Sequence, residues 1–186
     1  MKLVLIGDSI RMGYQDLVRG KVGDRAVVWS PAENCGNSLM HRQNLDAWYL
    51  APQADVIHFN CGIWDCIPME QDGEPAFSLG EYLRNLELIL RRIKRGSKAR
   101  LIWAATTPCL APRDETPKQR CSVHPNFPRY NAAAAELMAA AGVEVNDLYR
   151  AIMDAGVCDC LQDDKAHMAP LGNEALSDAV VRYIFG

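Results

Sequence analysis

No long apolar run interrupts this sequence: none of its 186 residues falls in a stretch resembling a membrane span. No apolar segment with a cleavage site precedes the strand-like run that begins at Lys2, so a secretory signal is not expected. Concentrated positive charge is missing too. Lysine and arginine number 20 against 23 acidic residues, a net charge of −3, which argues against nucleic acid or an anionic membrane as partner. The densest basic stretch, Arg91 to Arg95, closes a helical pattern, where cations complement the negative end of the helix dipole. The seven cysteines, at 35, 61, 66, 109, 121, 158 and 160, lack the spacing of a disulfide framework. Free or buried thiols in a reducing cytoplasm are therefore expected. Cys158, Cys160 and His167 have no second Cys/His pair to complete a metal site, so neither metal nor cofactor is expected. Repeats and low-complexity linkers are absent, and the length suits one domain spanning 1–186.

What is present alternates. Short runs rich in β-formers occur at Lys2–Ile6, Ala26–Trp29, Asp55–Phe59, Ala99–Trp103 and Val143–Val145. Helical patterns separate them. The clearest starts at Ser78, a cap residue with Glu81 three positions on, and places Leu79, Tyr82, Leu83, Leu86, Leu90 and Ile93 on one face before Gly96. Others run from about Tyr130 to Gly142 and from about Asn173 to Ile184. This alternation predicts a three-layer α/β/α sandwich around about five parallel strands, with ligands bound at the strands' carboxyl ends. The irregular stretch from Thr106 to Arg129, with five prolines, has the length of a binding loop or lid.

Gly7-Asp8-Ser9 puts a serine just past the first strand, where the start of a helix aims amide donors at whatever the serine attacks. Alone it reads as a strand stop and a helix cap. Near the other end, Asp164 and His167 stand three apart, a spacing at which a carboxylate can hold an imidazole and fix its tautomer. Asp163 competes for that role, but Asp164 has the better spacing. Alone this pair reads as a surface cap. Both motifs in one small chain, one at each end of the strand series, point to nucleophilic catalysis.

With both motifs in place the chain resembles the SGNH (GDSL-like) hydrolases. Gly7-Asp8-Ser9 matches the first block of that family, and Asp164, His167 and Gly172 match the last. Gly36, within Asn34 to Ser38, matches the glycine of the second block, and Gly62-Ile63-Trp64-Asp65 stands where the third block has G-x-N-D. The resemblance implies a flavodoxin-like sheet and ester hydrolysis. Ser9 would be the nucleophile, His167 the base, Asp164 its orienting acid, and the Ser9 and Gly36 amides the oxyanion donors. Trp64 departs from the family pattern, which has an asparagine there. Three roles are open to it: it walls the pocket, its indole N–H replaces the amide, or another amide, of Asn37 or Asn60, supplies the donor. The first combined with the third is the expectation.

His58 lies in a strand pattern and is expected to be an inter-strand residue, whereas His41 and His124 could reach a pocket rim or substrate. Arg11 could bind a substrate carboxylate or form a surface ion pair. With no long apolar cap segment, the expected substrate is a small molecule or oligosaccharide bearing a short acyl ester, acetyl first. A lysophospholipase or thioesterase of the same fold is the alternative enzyme. A noncatalytic binding domain with a degenerate oxyanion hole is the alternative of another class. Sequence says nothing of the oligomeric state.

Overall fold

A computed structural model describes residues 1–68, 74–110 and 122–186. Its strands are β1 (Lys2–Ile6), β2 (Val27–Trp29), β3 (Val56–Phe59), β4 (Arg100–Ala104) and β5 (Glu144–Asn146). They form one sheet in the order β2-β1-β3-β4-β5, and every pairing is parallel. The main helices are α1 (Ser9–Val22), α2 (Ser38–Gln43), α3 (Ile63–Cys66), α4 (Leu79–Gly96) and α5 (Asn126–Ala140). After β5 follow α6 (Leu148–Ala155), α7 (Val157–Cys160) and α8 (Pro170–Phe185). Helix α8 packs against α1, α6 and α7, while α4 packs against α2 and α5, so the sheet is covered on both faces. Leu3, Val4 and Leu5 of β1 are fully buried, as the near-continuous apolar run of a doubly covered strand requires.

Strand order places the site. The chain leaves β1, adds β2 on one side, then returns to add β3 on the other. The segments after β1 and β3 therefore diverge around a crevice at their carboxyl ends, the switch point where open parallel sheets hold ligands.

Two helices begin earlier than the sequence pattern suggests, α5 at Asn126 and α8 at Pro170. Pro128 and Pro170 occupy first turns, where the missing amide has no intrahelical partner to lose. Helix α6 was not expected; the Asp147 side chain caps it through the Arg150 amide at 2.9 Å, and Gly156 in a left-handed conformation stops it. The cysteine expectation needs correcting. Cys35, Cys61, Cys66, Cys109 and Cys160 are buried free thiols, but Cys158 is disulfide-bonded. Cys121, and the part of the expected binding loop from 111 to 121, lie outside the described residues. Among the described residues no helix is long and apolar enough to cross a membrane.

Helix α4 carries the capping box read from the sequence: Ser78 Oγ accepts from the Glu81 amide at 3.3 Å, and Glu81 Oε2 accepts from the Ser78 amide at 2.9 Å. Ser78→Ala is expected to remove about 1 kcal/mol of stability and about 2–4 °C of Tm, read by thermal unfolding.

Asp8 caps α1 through the Ile10 amide at 2.9 Å, yet it is 1% exposed and its Oδ2 has no hydrogen-bond partner among the described residues. Burial pushes this carboxyl up to about 6, against the pull of the Ile10 amide, Arg11 and His167. The folded state thus holds the Asp8 proton more tightly than the unfolded chain does. Its contribution to stability is present below about pH 4 and is lost as pH rises through about 6. Asparagine caps as well and carries no charge to bury. Asp8→Asn is expected to raise the unfolding free energy at pH 8, read from a higher urea midpoint, by up to about 3 kcal/mol, and to match the parent below pH 4. An equal midpoint at pH 8 would contradict the burial account.

Candidate active site

The turn after β1 delivers Ser9 as the first residue of α1, with its side chain toward the crevice. Ser9 Oγ lies 2.9 Å from His167 Nε2, and His167 Nδ1 lies 2.6 Å from Asp164 Oδ2. Ser9, 158 positions from His167 in sequence, thus joins the Asp164–His167 pair through the imidazole.

The Asp164–His167 spacing works through a turn and not a helix. Asp164 Oδ1 accepts from the amides of Ala166 at 3.0 Å and His167 at 2.9 Å, while Lys165 between them adopts a left-handed φ of 64°. That conformation is uncommon for a side chain other than glycine, asparagine or aspartate. Lys165 is held in it from both sides: its amide donates to Gln162 O at 2.9 Å and its carbonyl accepts from the Leu110 amide at 3.0 Å. Burial raises the Asp164 carboxyl, but the two amides and the His167 ring outweigh it and hold the group below the usual carboxylate range. Asp164 is then an ionised acceptor at neutral pH, so the proton of a neutral imidazole sits on Nδ1 and the Nε2 lone pair faces the serine hydroxyl. Asp163 takes no part in this line.

The segment after β2 is locked beside the nucleophile. Arg11, one turn into α1, is 1% exposed. Its guanidinium donates to Gly7 O at 3.1 Å, Pro31 O at 3.0 Å, Glu33 O at 2.7 Å and Gln15 Oε1 at 2.6 Å. Arg11 is therefore a buried tie between two loops, where a surface ion pair or a group open to substrate was expected. The Cys35 amide adds a bond to Gly7 O at 3.2 Å. From the other side Asp65, fully buried on α3, accepts from the Ser38 amide at 3.0 Å and from Ser38 Oγ at 2.5 Å. Burial raises the Asp65 carboxyl to about 6, opposed by the Ser38 bonds. Asn85 reaches Ser38 Oγ at 2.9 Å and itself accepts from Arg42 at 2.9 Å, which completes the chain of partners.

Gly36 lies between these two clamps with φ of +60°, and a Cβ there would collide with the Met40 sulfur. A side chain there is strained in backbone and displaces Met40, so glycine suits the position best. Its amide donates to Asn34 Oδ1 at 2.9 Å. Of the two asparagines expected to replace the amide missing at Trp64, Asn60 has its side-chain amide engaged elsewhere, whereas Asn37 uses only its carbonyl oxygen, as a helix cap. Asn60 Nδ2 donates to Ala104 O at 2.6 Å and Thr106 Oγ1 at 3.2 Å, tying β3 to β4, and Asn37 caps α2 through the Met40 amide at 3.0 Å. Neither lines the space beside Ser9.

That space is a cavity of about 250 Å³, lined by Ser9, Ile10, Ile63, Trp64, Ile67, Ala166 and His167. Trp64, 39% exposed, forms part of its wall, as the first of its expected roles requires. A larger groove of about 550 Å³ runs between α2 and α4 past Arg42, Asp46 and Arg92, and holds none of the three aligned residues. Of the remaining histidines, His41 is fully buried against Tyr49 at 2.6 Å, and burial pushes it down to about 3. His58 meets Asn146 across β4 at 3.1 Å, the inter-strand place expected of it, and burial pushes it down to about 4. His124 accepts from the Asn126 amide at 3.3 Å at the start of α5. Among the described residues no group of three His, Cys, Asp or Glu could hold a metal ion.

The same fold recurs in solved structures. The lipase/acylhydrolase from Enterococcus faecalis matches with a TM-score of 0.78 at 21% identity, over 98% of this chain and 94% of that one. The acetyl xylan esterase AlAXEase matches with a TM-score of 0.81 at 14% identity, over 100% of both chains. A catalytic serine-to-alanine mutant of Axe2, an acetylxylan esterase from Geobacillus stearothermophilus, matches with a TM-score of 0.78 at 17% identity, over 99% and 94% of the chains. No curated protein sequence matches this one. The sequence of residues 5–175 fits the GDSL-like lipase/acylhydrolase pattern, and with nearly the whole chain so matched, it belongs to the GDSL-like lipase/acylhydrolase family.

Proposed function

We propose that this chain is a serine hydrolase of carboxylic esters, with Ser9 as nucleophile, His167 as general base and then acid, and Asp164 as the residue that orients the imidazole. The observation that carries the reading is the unbroken line from Ser9 Oγ through His167 to Asp164, at 2.9 and 2.6 Å. Ser9 Oγ attacks the ester carbonyl as its proton passes to Nε2. The tetrahedral intermediate collapses, and the alcohol leaves with that proton. Water, activated by the same nitrogen, then releases the acid and restores Ser9.

The oxyanion needs donors near Ser9. First-turn amides of a helix lack intrahelical partners, which leaves the Ser9 amide at the N-terminus of α1 suited to the role. The Gly36 amide is the second donor, after exchange of Asn34 Oδ1 for substrate oxygen. Each such donor is worth about 3 kcal/mol in other hydrolases. Catalytic mutants of Axe2 carry alanine in place of a serine and of a histidine, which supports the same pair of residue types here.

Acyl length is not set by the triad. The sequence favours an acetyl group on a sugar or other polar alcohol, and the names of AlAXEase and Axe2 favour the same. The wall of the cavity beside Ser9 favours a longer chain, and it is a property of this chain itself. A binding domain without catalysis has only the missing asparagine at Trp64 in its favour.

Two measurements test the hydrolase reading. A fluorophosphonate probe is expected to label the native chain and not Ser9→Ala; equal labelling of both would defeat the assignment. Asp164→Asn is expected to retain the fold and lose about ten-thousand-fold in kcat, because the amide favours the wrong imidazole tautomer.

A further inference from the structure

We propose that the cavity beside Ser9 is an acyl site for an unbranched apolar chain of butyryl to octanoyl length, filled poorly by acetyl. The inference rests on the serine hydrolase reading of the same site and goes beyond it to the substrate class.

Five of the seven residues that line the cavity are Ile10, Ile63, Ile67, Ala166 and Trp64, and the other two are the proposed nucleophile and base. They come from three separate parts of the fold: α1, the segment that opens at α3, and the Asp164–His167 turn. Apart from Ser9 and His167, the only hydrogen-bonding side-chain group among them is the indole N–H of Trp64. A sugar ring seated there would set several hydroxyls against isoleucine with no partner, at a cost for each. The alcohol moiety therefore lies on the open side of Ser9, and the acid moiety fills the cavity.

Size points the same way. An acetyl methyl occupies a volume close to that of one water, about 30 Å³ in the liquid, against a cavity of about 250 Å³. An acetyl ester leaves most of the apolar wall without contacts, whereas each added methylene removes more of it from water. At the usual worth of a buried methylene, kcat/KM should rise about fourfold per carbon until the cavity is full.

The experiment is a series of p-nitrophenyl esters, from acetate through butyrate and hexanoate to octanoate, with the full chain and with Ser9→Ala. The expected result is Ser9-dependent hydrolysis whose kcat/KM rises about fifteen-fold for each pair of added methylenes up to hexanoate. Ser9-dependent hydrolysis that is flat or falls with length overturns the acyl site and leaves the hydrolase reading standing. Failure to hydrolyse any ester overturns both.

A second variant locates the chain. Ile67 is half-buried at the edge of the core, so Ile67→Trp adds bulk to the cavity it lines. The ratio of hexanoate to acetate kcat/KM is expected to fall at least tenfold in this variant, with Ile67→Phe as the smaller substitute if circular dichroism shows a disturbed fold. An unchanged ratio in a folded variant overturns the location.

Discussion

A buried guanidinium holds the site together. Arg11 projects from the first turns of α1 into the space between the β1–α1 turn and the segment after β2, and there it meets the carbonyls of Gly7, Pro31 and Glu33. Each of those oxygens lies in irregular backbone, which has no ladder to satisfy it. One side chain answers three of them, and a residue without its donors would leave Pro31 O without this partner and Gly7 O with the Cys35 amide alone. Arginine alone has enough donors in a fixed plane for this. Ser9 and Gly36 come from different crossovers of the sheet, and that contact ties the segments that carry them.

The same region concentrates acidic groups that pay for position with solvation. Asp8 and Asp65 are both shielded from water and both titrate near 6. Asp65 raises no packing problem, because Ser38 engages both its oxygens, whereas Asp8 leaves Oδ2 unpartnered among the described residues. Asp164 is the contrast. It is half exposed, bonded by two amides and an imidazole, and remains ionised. Asp164 thus gives up its proton more readily than Asp8 and Asp65, because hydrogen bonding outweighs burial there and burial outweighs hydrogen bonding at the other two.

Much of this was legible in the sequence, and the physical reasons are specific. Five β-rich runs separated by helical patterns leave little choice but a parallel sheet, and the resemblance in blocks singles out Ser9 after the first strand and Asp164 and His167 before the last helix. Local chemistry was legible where it depends on near neighbours, as in the Ser78–Glu81 box. It was not legible where partners come from distant segments. Nothing around Arg11 in sequence announces Pro31 and Glu33, and nothing near Asn60 announces the carbonyl of Ala104 that takes its amide. The early starts of α5 and α8 were hidden by prolines, which break a helix only after its first turn. Cys158 shows the limit of spacing arguments, since an irregular set of cysteines still includes one in a disulfide.

The bond from the Gly36 amide to Asn34 Oδ1 alters what substrate binding can gain at that donor. A neutral amide oxygen and a neutral ester carbonyl are comparable acceptors, so replacing one by the other is close to an even exchange. An alkoxide oxygen is a far stronger acceptor. Under the proposed reaction, the resting contact acts as a threshold that only developing negative charge exceeds. The donor is then withheld from the bound ester and given to the intermediate, which directs its interaction energy into turnover and not into affinity.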